Sequence, residues 1–268
     1  MGLLRRSWDG RVEHAEEVAR GPGLQALRDR IVALACPVPG EVVVDLGSGT
    51  GLLALAFAGA AQKVWAVDSS RAMGEHLRVK ADSAEFGSVR VVHASATCLP
   101  LVDGAADLVV SNYCFHEMSE SDKRRALAEA FRVLRPGGRL VIGDMMFSIS
   151  LRSSRDRRLV GEMVLAIGRR GLPGMLRVLK NGLRVAVGRW ERPQTAEWWR
   201  EALETGGFED VSVEVLRHEG GIASAHRPAL ESVNGAKPLP GGEHATGGPW
   251  RRVLPDHPAV SRTARGHR

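Results

Sequence analysis

Aromatic side chains are scarce in this chain, with six Phe, six Trp and one Tyr among 268 residues. Platforms for single-stranded nucleic acid need such rings interleaved with basic residues, so no nucleic-acid partner is expected. Cysteine is scarce as well. Cys36, Cys98 and Cys114 are scattered, odd in number and without C-x-x-C spacing. That pattern points to a reducing compartment and to neither a disulfide framework nor a metal site. Runs of about 18 consecutive apolar residues are missing, which argues against a membrane span. The opening MGLLRRSW lacks the long apolar stretch of a secretory signal, and Arg6 breaks the myristoylation pattern. A cytoplasmic protein is expected.

What is present fits one large α/β domain with appendages. Apolar residues make up 44% of the chain, enough for a sizeable core. The net charge of +6 is unevenly spread. Residues 148–194 hold eleven Lys or Arg against three acids, and the stretch from Arg227 onward holds seven against three, so the remainder is net acidic. The first basic segment, RRLVGEMVLAIGRRGLPGMLRVLKNGLRVAVGRW, suggests two helices broken near Gly171 to Gly174. Leu172, Met175, Leu176, Leu179, Leu183 and Val187 approximate one apolar face. Two readings stand: an amphipathic lid with a solvated basic rim, or a surface that meets anionic lipid or an acidic substrate. The second basic segment is rich in Pro, Gly, His and Arg without periodicity and reads as a disordered tail.

Five blocks follow one another between residues 41 and 147. The first, VVVDLGSGTG (42 to 51), is a β-branched run ending in an acid, then three glycines at every second position. It reads as a buried parallel strand, a loop whose backbone can approach a ligand closely, and a helix N-terminus supplied by the Ala-rich LLALAFAGAAQ. A dinucleotide fingerprint would need a third glycine at position 52, which is Leu. The second block, KVWAVDSS, ends a strand at Asp68, 23 residues after Asp45. An acid at that distance is placed to hold ribose hydroxyls, each bond contributing about 1.5–3 kcal/mol. Its alternative role is to cap the helix beginning near Ser69 or Ser70. The remaining blocks are VRVVHA with SATCLPL, ADLVVSNYCFHEM, and AFRVLRPGGRLVIGDMM, where a helix is expected to end at Pro136-Gly137-Gly138 before a fifth strand.

An acid at a strand end followed by G-x-G-x-G, with these blocks in this order, resembles the class I S-adenosylmethionine-dependent methyltransferases. The resemblance implies a Rossmann-like, doubly wound α/β sheet of seven strands with an antiparallel last strand. It implies N-terminal helices over residues 1–36, a cofactor-binding core over 37–147, the helical insert over 148–194, and the last helix and two strands over 195–226, followed by the tail 227–268. The helix TAEWWREALETGGF, with Thr195 as N-cap and Gly206-Gly207 as its stop, opens that last part. Cofactor contacts carried over from the family fall on Asp45, Leu46, Gly47, Ser48, Gly49, Thr50, Gly51, Asp68, Ser69, Met73, Ser95, Ala96 and Asn112. One departure is plain: Ser95 stands where the family often has an acid beside adenine, and offers only a neutral bond of about 0.5–1.5 kcal/mol.

The expected chemistry is in-line displacement of a methyl group from S-adenosylmethionine to a small or lipid-like acceptor. Alignment of two reactants can supply roughly 7–11 kcal/mol, more than one general base adds, so no catalytic constellation need be legible. His116, Glu117 and Asp144 are the candidates for proton removal; the first two have a structural alternative, His116 in packing the start of the following helix and Glu117 as an acid at that helix start. No NPPY-type signature follows the fourth strand, so DNA bases and protein glutamine are not expected acceptors; carbon, oxygen and nitrogen acceptors stay open. A regulatory protein that binds S-adenosylmethionine without turnover, and an NAD-dependent oxidoreductase, are the alternative functions.

Overall fold

The computed structural model describes residues 8–147, 157, 158, 161, 162, 165, 193–216 and 220–229. They belong to a compact unit, Met1–Leu230; a second unit, Glu231–Arg268, falls outside the described residues. So do nearly all of the expected insert, 148–194, and nearly all of the expected tail.

Helices α1 (Val12–Ala19) and α2 (Pro22–Ala35) precede strand β1 (Val42–Leu46). Then come α3 (Ala54–Phe57), β2 (Lys63–Asp68), α4 (Arg71–Ser83), β3 (Val89–His93) and β4 (Ala106–Asn112). A 3₁₀ turn (Phe115–Glu117), α5 (Glu120–Val133) and β5 (Leu134–Met145) follow. Helix α6 (Ala196–Thr205), β6 (Glu209–Val215) and β7 (Gly220–His226) complete the unit. The seven strands lie in the order β3-β2-β1-β4-β5-β7-β6. The first five are parallel, and β7 runs antiparallel to both β5 and β6. This is the Rossmann-like architecture expected from the motifs.

The β-branched runs form strands because both faces of the sheet are covered. Alternate residues feed two cores: Val44, Val109, Leu140 and Ile142 enter the cluster shared with α5 and α6. Val43, Leu108, Val110 and Val141 enter the cluster beneath α2, α3 and α4. Arg139 fastens α2 to the base of the sheet through a two-pronged pair with the buried Glu41 (2.6 and 2.8 Å) and bonds to the carbonyls of Ala35 and Cys36. Thr195 caps α6 as expected, accepting from the Trp198 amide, and Gly207 leaves the helix with φ 87°. Among the described residues no helix is long and apolar enough to cross a membrane.

Three boundaries differ from the sequence reading. Helix α5 stops at Val133, not at Pro136-Gly137-Gly138, because Leu134 is already paired with Ala106 of β4. Helix α3 is a single regular turn, although eleven apolar and Ala-rich residues follow the glycine loop, because β2 begins at Lys63. The ordered chain also runs past the expected tail boundary. Arg227 donates its amide to Gly138, accepts from Gly137, and spreads its guanidinium over the carbonyls of Phe131, Arg132 and Leu134 while stacking on the Phe131 ring at 4.8 Å. A cation on the last carbonyls of α5 satisfies acceptors that no helical amide reaches. Arg227→Ala is therefore expected to lower stability by about 1–3 kcal/mol in urea unfolding.

Candidate functional site

Connections leave β1 toward β2 on one side while β4 lies on the other, so a crevice opens above the carboxyl end of β1. The glycine loop forms its floor. Gly47 and Ser48 donate their amides to the Val67 carbonyl (2.8 and 3.0 Å), which folds the loop across the end of β2. Gly47 has φ 68°, and a Cβ there would collide with the Cys114 thiol beneath it. Gly49 has φ 50° with nothing within 4 Å of where its Cβ would stand, so the backbone faces open space at that point. Thr50 is buried, and its carbonyl accepts from Lys80 of α4 at 2.9 Å. The same ammonium pairs with Glu16 of α1 at 2.6 Å, tying the N-terminal helices to the loop.

Asp68 closes β2 and is bonded at both oxygens: Gly49 donates to one and Ser70 to the other, each at 2.8 Å. It does not cap α4; Ser70 does, accepting from the Met73 amide. Burial raises the Asp68 carboxyl above its usual range, opposed by those two amides. Ser69 is exposed and its carbonyl meets His93, whereas Met73 is buried in the first turn of α4. Asp9, which sequence reasoning passed over, lies on the start of α4. It accepts from the Ser70 hydroxyl at 2.6 Å and from the Ala72 amide at 3.2 Å, which holds its carboxyl below the usual range.

Polar atoms without partners gather in the same crevice. Among the described residues, the buried Asp45 Oδ2, Ser48 Oγ and both amide atoms of Asn112 make no hydrogen bond. Asp45 is 1% exposed, and burial pushes its carboxyl up to about 7. Leu46 is fully buried and supplies a carbonyl to the Ser111 hydroxyl. Beyond β3, Ser95 bonds Thr97 through their hydroxyls at 2.8 Å, and Ala96 is buried beside it. Helix α5 holds this loop. Glu129 accepts from the Leu99 amide at 2.6 Å, and Arg132 donates to the carbonyls of Leu99 and Leu101.

The three residues proposed for proton removal stand together at the ends of β4 and β5. His116 Nδ1 meets Asp144 Oδ1 at 2.7 Å, and the two side chains are 8% and 1% exposed. Asp144 also accepts from the amides of Phe115 (2.6 Å), His116 (3.2 Å) and Met145 (2.6 Å). Surrounded by donors, the carboxylate acts as an acceptor, so the shared hydrogen resides on Nδ1. Glu117 Oε1 lies 3.9 Å from Nε2. Cys114 sits between the dyad and the glycine loop. Burial pushes its thiol well up, reinforced by the carboxylates of Asp68, Asp144, Asp45 and Glu117. The sequence named His116 and Asp144 separately, but nothing in it signalled that they pair or that Cys114 lies under Gly47.

Comparison with known proteins bears on what such a crevice holds. A methyltransferase-domain family matches residues 43–138. The demethylmenaquinone methyltransferase of Clavibacter sepedonicus is 31% identical over 213 residues, covering 76% of this chain and 79% of that protein. The ubiquinone/menaquinone biosynthesis C-methyltransferase UbiE of Vibrio vulnificus is 39% identical over 108 residues, which span 39% of this chain and only 41% of that protein. A crystal structure of an S-adenosylmethionine-dependent methyltransferase from Aquifex aeolicus has the same fold, with a TM-score of 0.57 at 17% identity over 82% of this chain and 98% of the other. The glycine turn, the acid-ended strands and a relative matched over most of both lengths lead to one conclusion: this chain belongs to the class I S-adenosylmethionine-dependent methyltransferases, and S-adenosylmethionine is its cofactor.

Proposed function

We propose that the enzyme methylates a ring carbon of a lipid-like quinol and that His116, held by Asp144, takes the proton the reaction releases. The observation that carries this reading is the buried pair at 2.7 Å, placed where β4 and β5 end beside the glycine loop. When bound, the cofactor supplies an electrophilic methyl group on a sulfonium. An oxidised quinone is itself electrophilic and cannot attack that carbon, so the acceptor is the reduced, hydroxyl-bearing form. Transfer of the hydroxyl proton to His116 Nε2 places electron density on the ring carbon that attacks. The hydrogen displaced from that carbon returns to the oxygen, and one proton leaves overall through His116. Asp144 keeps the imidazole in the tautomer that accepts at Nε2 and stabilises the imidazolium. The names of the two quinone-pathway relatives support this acceptor class.

In the same reading the atoms without partners hold the amino-acid half of the cofactor. Asp45 Oδ2 would accept from its ammonium, and Ser48 and Asn112, whose polar atoms also make no hydrogen bond, would bond its carboxylate. The Gly47 to Gly51 backbone would approach the cofactor, Asp68 would accept from its ribose hydroxyls, and Leu46, Ser69, Met73, Ser95 and Ala96 would line the nucleoside. The helices before β1 cap this core, and the basic composition of residues 148–194 suits contact with anionic membrane, where a lipid-like acceptor resides.

Asp68→Ala is expected to weaken S-adenosylhomocysteine binding by roughly 2 kcal/mol in titration calorimetry. His116→Gln should reduce kcat at least about a hundredfold, leaving that affinity unchanged; full turnover against a reduced quinol would refute the base assignment. For Asp45, the folded carboxyl titrates at about 7, above its ordinary value, so the folded state holds the proton more tightly. The ligand-free protein then loses stability as pH rises from about 4 to 7 and is level above that. Asp45→Asn should abolish this slope and be the more stable protein at pH 8, by on the order of 4 kcal/mol. Thermal unfolding across that range reads the difference. Vesicle co-sedimentation that requires anionic lipid and fades with salt tests the membrane contact.

A further inference from the structure

The glycine loop is tied in two directions. Gly47 and Ser48 hold to the Val67 carbonyl, Gly49 holds to Asp68, and the Gly51 amide closes on the loop's own Ser48 carbonyl at 2.8 Å. Thr50 is tied the other way, toward the helices. It stands between Gly49 (φ 50°) and Gly51 (φ 94°), two left-handed steps at residues that lose more backbone freedom on ordering than any other. Packing does not fill the space beside it. A cavity of about 380 Å³ opens there, with Thr50, Gly51, Leu55, Lys80, Glu16 and Arg20 among its walls. A bond therefore does what packing does not: the Lys80 ammonium of α4 holds the Thr50 carbonyl at 2.9 Å.

Lys80 is itself 34% exposed, and an unrestrained lysine samples many rotamers. Glu16 of α1 selects one of them. Its Oε1 lies 2.6 Å from the Lys80 ammonium and 3.3 Å from His76 Nε2, while its Oε2 lies 3.8 Å from Arg20. Burial would raise this carboxyl, but Lys80 and the Thr50 hydroxyl outweigh it and hold Glu16 below its ordinary range. The carboxylate stays charged, and the bond it directs onto the loop is charge-assisted. We infer that Lys80 is a positioning residue for cofactor binding: held by Glu16, it fixes the Thr50 carbonyl and so sets the glycine loop before the cofactor arrives. A loop ordered in advance loses no freedom on binding, and that saving is read as affinity. The inference rests on the proposed placement of the cofactor over Gly47 to Gly51.

Titration calorimetry with S-adenosylhomocysteine on the full-length protein tests it. Lys80→Met is expected to weaken binding about tenfold, the loss of one charge-assisted bond. Glu16→Gln, which keeps the size of the side chain, should weaken it in the same direction. The double variant should bind no more weakly than Lys80→Met, because both changes cut one chain of contacts. In the ligand-free protein the amides of Gly49, Thr50 and Gly51 should exchange hydrogen faster in Lys80→Met than in wild type. Arg30→Met, which cuts an ion pair joining α2 to Glu214 of β6, should leave affinity unchanged. Wild-type affinity in both Lys80→Met and Glu16→Gln, even with a lowered melting temperature, would overturn the inference and leave the pair as a fastener of α1. So would additive losses in the double variant, or an equal loss in Arg30→Met. Unchanged affinity in Asp68→Ala would remove the cofactor's placement and this inference with it. A weakened Asp68→Ala beside wild-type affinity in Lys80→Met and Glu16→Gln would remove this inference alone.

Discussion

Five parallel strands covered on both faces leave polar side chains few places to go. Val43 and Val44, Leu108 and Val109, and Leu140 and Val141 alternate into two separate cores, so a charge within the strand interior would meet apolar packing on either side. The acids and the amide therefore collect where the strands stop. Asp45, Asp68, Asn112 and Asp144 all stand at carboxyl ends, and the reversal of strand order between β1 and β4 opens the crevice they line. The packing rule that builds the sheet thus also builds the site.

The acids differ because their surroundings differ. Asp144 is met by three backbone amides and an imidazole, which suits it to hold an orientation. Asp68 is bonded at both oxygens and fastens the glycine turn to the start of α4. Asp45 has one oxygen without a partner and is raised by burial to about 7, so it is the acid most sensitive to a positive group entering the crevice. Cys114, in the midst of these carboxylates, is kept as a thiol. A thiolate would compete as a nucleophile for an electrophilic methyl group, and burial, reinforced by the surrounding charge, suppresses it.

Much of the fold could be read from the chain. Apolar runs ending in an acid mark β1, β2 and β5, one ending at Asn112 marks β4, and Thr195 with Gly206 and Gly207 marks both ends of α6, because each signal acts within a few residues. The misses share a cause. The end of α5 is set by Leu134 pairing with Ala106, and Arg227 is held by carbonyls nearly a hundred residues earlier; both are decided by distant partners. The same applies to Asp9, whose place on the start of α4 has no local signature.

The sequence by itself determined the family, the cofactor and the identity of the groups at the strand ends, since glycine turns and buried strands are written in adjacent residues. Tertiary structure decided which of those groups touch. Parallel register sets Asn112 beside Gly143, which brings His116 to Asp144, 28 residues away, and the left-handed turn at Tyr113 lays Cys114 under Gly47. Such contacts depend on how strands far apart in the chain align, and alignment follows from burying two faces of one sheet at once, a condition that no short stretch of residues can express.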